Sequence, residues 1–241
     1  MRGPRLASWG VASVLSFPAS PEPVVRVTTR SGKVVVIGEH RTDVLVEGTD
    51  RADVTTDGTL EVSGGSNSVE VRCPGGTDVI VGTGSGSVDL RGRLGDARVT
   101  VGSGSISVAE VERLDARTGS GSFEVASCDG DCRLKTGSGS IRVGRAGDAD
   151  LATGSGSVAA DLVDSAVIRA GSGNVDVGLS GPGRVDVKSH SGSVTVSVPS
   201  GVRPQALLQS NSGAVQCDCV TGSDGEVRVR TLSGSILVAE R

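Results

Sequence analysis

Residues 118–125 read TGSGSFEV, residues 136–143 read TGSGSIRV and residues 153–160 read TGSGSVAA, so one short motif occurs three times in the middle of the chain. Further out in both directions, the central residue of the Ser-Gly-Ser triplet or of a close variant recurs at Gly32, Asn67, Gly86, Gly104, Gly121, Gly139, Gly156, Gly173, Gly192, Gly213 and Gly234. From Gly86 the successive intervals are 18, 17, 18, 17, 17, 19, 21 and 21 residues. So regular a period indicates a repeat architecture.

Apolar residues recur at four fixed distances from each central glycine. They stand two and four residues after it and five and seven residues before it; around Gly139 these positions hold Ile141, Val143, Leu134 and Cys132. Residues two apart lie on one face of a strand, so each repeat is predicted to form a strand, a Gly-Ser turn, a second strand and a connecting turn. Four inward side chains cannot form a core alone, whereas stacked repeats bury a continuous one.

These columns predict an all-β fold, a single-stranded parallel β-solenoid (β-helix) with coils of about 17–21 residues. Columns of Val, Ile, Leu and Ala are typical of parallel strands that are buried in a core. Glycine at the turn permits a positive φ or a close approach between coils. The inward threonines before several turns, such as Thr136 and Thr153, are expected to form a hydroxyl ladder between coils.

The chain is expected to contain one solenoid domain, residues 23–241, after an N-terminal extension of residues 1–22. Residues 82–241 form the regular coils, and residues 23–81 are less regular, with strands expected at Val24–Thr28, Lys33–Ile37, Asp43–Val46, Thr59–Val62, Val69–Val71 and Asp78–Val81. The extension is interpreted as disordered or weakly signal-like, because serines interrupt its apolar stretch and no clear cleavage site follows. This favours a cytoplasmic protein, with export or association with the cell envelope as the alternative.

The composition argues against several classes of function. The 24 basic and 28 acidic residues give a net charge of −4, which is too small to indicate nucleic acid or a membrane surface as a partner. The aromatic residues are Trp9, Phe17 and Phe123, so the chain lacks a platform for stacking single-stranded nucleic acid. No apolar run approaches the ~18 residues of a transmembrane helix.

No motif for a cofactor, a metal or catalysis is complete, so we expect no cofactor and no enzyme activity. The glycines do not match a dinucleotide loop, a phosphate loop or a hydrolase elbow, and only Asp176 approaches the register of a calcium-binding nonapeptide repeat. The two histidines are His40 and His190, and His190 replaces a turn glycine and is expected to be exposed. Adjacent coils present no paired carboxylates of the glycosidase type, which leaves a polysaccharide-active enzyme as a distant alternative.

The five cysteines, Cys73, Cys128, Cys132, Cys217 and Cys219, lack the spacing of a zinc site. Cys132 and Cys217 belong to coils four anchors apart, which excludes one shared metal ion. Both stand in inward columns and are expected to fill the core. Cys128 and Cys132 bracket a short Asp-Gly-Asp turn and could form a disulfide if oxidised.

One outward column of the predicted solenoid is rich in cations. Four residues before the central glycines stand Arg117, Lys135, Arg169, Lys188 and Arg230. In stacked coils they would form a broken cationic stripe, a candidate contact site for an anionic polymer such as cell-wall material or for lipid head groups. The neighbouring outward column holds Asp115, Asp150 and Asp186, so the alternative interpretation is a mixed-charge surface that deters edge-to-edge association.

The repeated TGSGS units, preceded by the segment Pro21-Glu22-Pro23-Val24, resemble the bacterial putative-adhesin family of β-strand-repeat proteins over roughly residues 15–241. That family is a class of domains without an established function. The resemblance therefore implies the repeat fold and an adhesin-like role, and it implies no catalytic or binding residues.

Two functions follow from these observations. The first is a non-enzymatic, adhesin-like binding or surface-interaction module of unknown ligand, whose partner would be a cell-envelope polymer or another protein. The second is a structural scaffold that assembles by stacking of solenoids, which would require open apolar ends. The expected last strand, Ser235–Ala239, is followed by Glu240 and Arg241, and this favours a capped monomer.

Overall fold

The computed structural model describes residues 14–49 and 51–241. All regular secondary structure among these residues is β-strand. None of these residues belongs to a helix that could cross a membrane. Successive coils are joined mainly by parallel ladders, which confirms the predicted all-β solenoid. The chain divides into two compact units: unit 1 ends at Thr118 and unit 2 begins at Gly119.

Among its described residues, unit 1 contains all six strands expected between residues 24 and 81, two additional strands, and two strands of the regular coils. Its strands are β1 (Val14–Pro18), β2 (Val24–Ser31), β3 (Val34–Glu39), β4 (Asp43–Glu47), β5 (Ala52–Val54), β6 (Leu60–Gly64), β7 (Val69–Pro74), β8 (Asp78–Ser85), β9 (Val88–Ser103) and β10 (Ile106–Ser120), which ends just beyond the unit. The additional strands are β1 and β5. β1 pairs antiparallel with β4, so residues 14–18 belong to the sheet and not to a disordered extension. Residues 1–13, with most of the expected signal-like stretch, lie outside the described residues.

The coils of unit 1 do not stack in chain order. Parallel ladders place β2 between β6 and β8, and β3 between β7 and β9. The first coil, β2 and β3, is therefore stacked between the second coil, β6 and β7, and the third coil, β8 and the first part of β9. Antiparallel strands cover the second coil, because β5 pairs with β6 and β4 pairs with β7. The outer rung of unit 1 is thus closed by strands of opposite direction.

Unit 2, which is described throughout, has nine strands, and the first four, like β9 and β10 of unit 1, are longer than the repeat predicts. The strands of unit 2 are β11 (Phe123–Ser138), β12 (Ile141–Ser155), β13 (Val158–Ser172), β14 (Val175–Ser191), β15 (Val194–Val198), β16 (Gln205–Ser212), β17 (Val215–Asp218), β18 (Glu226–Ser233) and β19 (Ile236–Glu240). In β11 to β14 the expected connecting turn stays within the hydrogen-bonded strand. The segment where the turn was expected adds a buried column that the repeat did not predict. It contains Cys128, Ala146, Val163 and Leu179.

The last coil of the chain, β18 and β19, is also stacked out of chain order, between the two coils that precede it. β18 pairs with β14 on one side and with β16 on the other, and β19 likewise lies between β15 and β17. Residues 199–204 carry the chain past one rung and residues 219–225 bring it back, and Gly222 N donates to Pro204 O over 3.1 Å where these loops meet. The intervals of 21 residues supply the length for this crossing. The expectation that Ser235–Ala239 forms a capped end is therefore wrong, and β16 with β17 forms the outermost rung.

Buried columns and hydroxyl groups hold the rungs together. Leu134 and Leu151 are partners in neighbouring rungs and both are fully buried. Thr136 Oγ1 donates to Gly121 O in the preceding rung over 3.0 Å. Thr118 and Thr153 likewise donate to turn carbonyl groups. The buried hydroxyl groups of Thr29, Thr83 and Thr231 have no hydrogen-bond partner among the described residues. These threonines therefore do not bond to one another as a hydroxyl ladder would require.

Candidate functional site

Most of the cationic column predicted from the sequence lies in unit 2 and has cations in three successive rungs, with a fourth cation beyond Ala152. The strand registers give the order Lys135, Ala152, Arg169, Lys188, Arg230 and Gln209. Arg230 follows Lys188 directly, because β18 lies against β14. Since neighbouring strands are about 4.8 Å apart, Lys135 and Arg230 lie on rungs separated by about 19 Å. We call Lys135, Arg169, Lys188 and Arg230 the groove cations.

A groove with a volume of about 700 Å³ runs along the groove cations. The outward position two residues further along each strand holds glycine in three successive rungs, Gly137, Gly154 and Gly171. Glycine is needed there for close packing, because a Cβ at Gly137 would lie 2.6 Å from Gly119 O. With no side chain in this column, space remains beside the long cationic side chains. His190 and Leu232 stand at the same position in later rungs and also line the groove.

The groove carries positive charge with little internal compensation. None of its lining residues, all within the described part of unit 2, is acidic. Arg169 Nη1 lies 2.9 Å from Asp150 Oδ1. No acidic residue among the described residues, Asp186 included, forms an ion pair with Lys135, Lys188 or Arg230. The mixed-charge interpretation therefore holds for Arg169, whereas three of the groove cations are available to an anion.

Arg117 is the one member of the predicted stripe that does not line this groove. It belongs to unit 1, where its Nε lies 3.3 Å from Asp115 Oδ1. This ion pair is the arrangement that the mixed-charge interpretation expects. The candidate site is therefore reduced from five residues to the four groove cations.

Both histidines lie at the surface. His40 is exposed in unit 1, and His190 is exposed at the groove, as its replacement of a turn glycine predicts. In the described part of the chain, no group of three or more His, Cys, Asp or Glu residues could hold a metal ion.

The five cysteines are free thiols in two different environments. Cys73, Cys128 and Cys132 are buried, and burial raises the pKa of Cys73 to about 11. A hydrogen bond with Cys128, together with burial, raises the pKa of the Cys132 thiol. Cys217 was expected in the core but is exposed, because its inward column ends at the outermost rung. Its Sγ lies 3.3 Å from Cys219 Sγ.

A charged cluster in unit 1 has its partners inside the protein. Asp89 Oδ2 accepts a hydrogen bond of 2.6 Å from Arg91 Nη2 and lies 3.1 Å from Lys33 Nζ. Partial burial of Asp89 opposes its ionisation, but the hydrogen bonds and charges of Arg91 and Lys33 outweigh it and lower the pKa of the carboxyl group. This cluster links Lys33, the residue before β3, to β9 and is a structural feature, in contrast to the groove.

Comparison with known proteins identifies the repeat. No curated protein matches the chain. Among solved structures, a "putative cell adhesion protein" from Clostridium sporogenes has 10% identity and a TM-score of 0.26, covering 99% of this chain and 100% of that chain. A "putative adhesin" from Bacteroides fragilis has 12% identity and a TM-score of 0.44, covering 93% of this chain and 95% of that chain. The family model described as Toastrack DUF4097 matches residues 23–236, and with a match over nearly its whole length the chain belongs to the Toastrack DUF4097 family.

Proposed function

We propose that this protein is a non-enzymatic, adhesin-like binding module whose basic groove holds an extended anionic polymer. The observation that supports it is the line of Lys135, Lys188 and Arg230, which lack ion-pair partners among the described residues and face a groove without acidic lining. The adhesin-like role implied by the repeat motif is itself a binding role.

The stacking of like charges supports a ligand. Arg169, Lys188 and Arg230 are direct partners in three successive rungs. Like charges placed opposite each other on neighbouring strands destabilise a sheet. An anion in the groove would remove this repulsion, so binding would relieve a cost that the free protein carries.

The shape and chemistry of the groove favour a linear polymer with repeated carboxylate or phosphodiester groups. Guanidinium groups bind such anions through paired hydrogen bonds, and ammonium groups bind them as point charges. One extended chain could contact all four groove cations over the ~19 Å that separates the first from the last at strand spacing. The exposed Leu232 offers an apolar contact for the polymer backbone.

Sedimentation with purified cell walls and with anionic vesicles, at low and high salt, tests this proposal. The groove variant is Lys135→Ala/Lys188→Ala/Arg230→Ala. The matched control, Arg142→Ala/Arg145→Ala/Arg203→Ala, loses the same charge from exposed residues outside the groove. We expect wild type and control to bind cell walls at low salt and to release them at high salt, because salt screens exposed charges beyond ~8–10 Å.

The groove variant is expected not to bind cell walls. Equal loss of binding in the control would reject the groove as the site, because net charge alone would then explain the attraction. Binding to vesicles and not to cell walls would reject a polymer as the ligand.

A further inference from the structure

The outermost rung of unit 2 has a free edge. In the described part of the chain, β16 pairs only with β18, and β17 pairs only with β19. The backbone N–H and C=O groups on the other side of these strands therefore lack strand partners. An edge of this kind is a template for pairing with another strand.

The core is open at this edge. Val215 and Cys217 stand in the inward columns, directly above Ile236 and Val238. Ile236 and Val238 are fully buried, whereas Val215 is 47% exposed. The apolar column thus continues into the last rung without a cover. Unit 1 differs, because antiparallel β4 and β5 cover its outer rung.

Of the two edge strands, β17 has one charged residue, Asp218, and β16 lacks the charges that usually protect such edges. β16 has no charged residue, whereas its neighbour β18 has Glu226, Arg228 and Arg230. At the outward position next to Arg228 stands Leu207, which is 43% exposed. Natural proteins commonly place lysine or another charge on a free edge to prevent association. At this position β16 has an apolar side chain in place of a protecting charge.

We infer that a second copy of this chain covers the free edge, so that β16 pairs antiparallel with β16 of the other copy around a two-fold axis. A two-fold axis brings the same surface of both copies together, and an uncharged strand can meet itself without opposing like charges. The exposed apolar residues Leu207 and Val215 would then be covered by the other copy. Because a two-fold axis uses the same free edge of both copies, the assembly is a closed dimer and not a filament.

Sedimentation equilibrium of the full chain over a wide concentration range tests this inference. Leu207→Lys and Val215→Lys each place a charge on the proposed contact. Val167→Lys is the matched control, since Val167 lies in the same outward column as Leu207 but in an inner rung, and is 37% exposed. We expect wild type and Val167→Lys to be dimers that dissociate on dilution, and both edge variants to be monomers at the same concentrations.

A cooperative thermal unfolding transition establishes that each variant is folded. Because there are two edge variants, the test still stands if one of them fails to fold. A wild type that stays monomeric at every concentration overturns the inference and would leave the edge to a different protein. Edge variants that dimerise as tightly as wild type would overturn it as well, because the dimer would then use another surface.

Discussion

Single glycines decide whether two coils can stack at the turn. Gly139 has a φ of +148°, and a Cβ there would fall on the carbonyl oxygen of Gly121 in the preceding rung. Gly139→Val therefore meets both a strained backbone and a backbone clash, and we expect it to lower the free energy of unfolding by ~1–3 kcal/mol. Ser122→Ala in the turn of the preceding rung is the control, because it removes only the 3.3 Å hydrogen bond that Ser122 Oγ accepts from Ser140 N. Urea denaturation that gives equal losses for both variants would contradict the role assigned to Gly139.

Cysteine reactivity reports which rung is outermost. Cys217 is exposed, whereas Cys73, Cys128 and Cys132 are buried and the pKa of Cys73 is raised to about 11 by burial. Since the thiolate is the reactive form, we expect an aromatic disulfide reagent at neutral pH to modify Cys217 first and these three only after unfolding. Mass spectrometry of the modified peptides gives the order. If Cys217 were protected from the reagent in a monomeric sample, another segment of the chain would have to cover the last rung, and the assigned order of the rungs would be contradicted.

At the scale of elements, Asp89 in β9 forms ion pairs with Arg91 and with Lys33, the residue before β3. The stability that these ion pairs contribute depends on pH. Because the folded-state pKa of Asp89 is lowered, its contribution to stability is full above its unfolded pKa of about 3.9 and is lost as the pH falls through the folded value. Asp89→Asn should cost about 1 kcal/mol or less near pH 7, since the pair is partly exposed to solvent. The difference from wild type should shrink near pH 3. A difference that is unchanged by acid would contradict the assigned pKa shift.

In unit 1, the strands that bury side chains could be predicted from the sequence, whereas β1 and β5 could not. Buried columns leave apolar residues at a spacing of two, which is why the strands from β2 to β8 other than β5 were expected. β1 and β5 serve as covering strands and contain no buried residue, so no such column marks them. The buried column of Cys128 and Ala146 was missed because these residues stand three positions, and not two, after Val125 and Val143.

The order of the rungs could not be predicted, because equivalent columns allow any rung to stack on any other. Val185, Val227 and Ala206 are equivalent inward residues of three rungs, and their sizes do not specify which lies in the middle. Two features of the sequence do reflect the crossing. The last intervals lengthen to 21 residues, and residues 205–212 contain no charge.

At the scale of the whole molecule, a chain of net charge −4 concentrates four cations in one groove. Their column was predicted from the repeat, since one position before each turn glycine holds them. The groove itself was not, because it depends on three glycines in the next outward column and on the insertion of β18 beside β14. That insertion brings Arg230 next to Lys188, whereas chain order would have placed Gln209 between them.

Thermal unfolding in the presence of linear inorganic polyphosphate tests the groove most directly. Without polyanion, Lys135→Ala/Lys188→Ala/Arg230→Ala should unfold at the wild-type temperature or above it, because repulsion between stacked cations is removed. With polyanion, wild type and the Arg142→Ala/Arg145→Ala/Arg203→Ala control should rise by several degrees, since a ligand at a hundredfold excess over Kd adds about 2.7 kcal/mol. The groove variant should not rise. An equal rise in all three proteins, or a rise in none, would contradict a binding site in the groove.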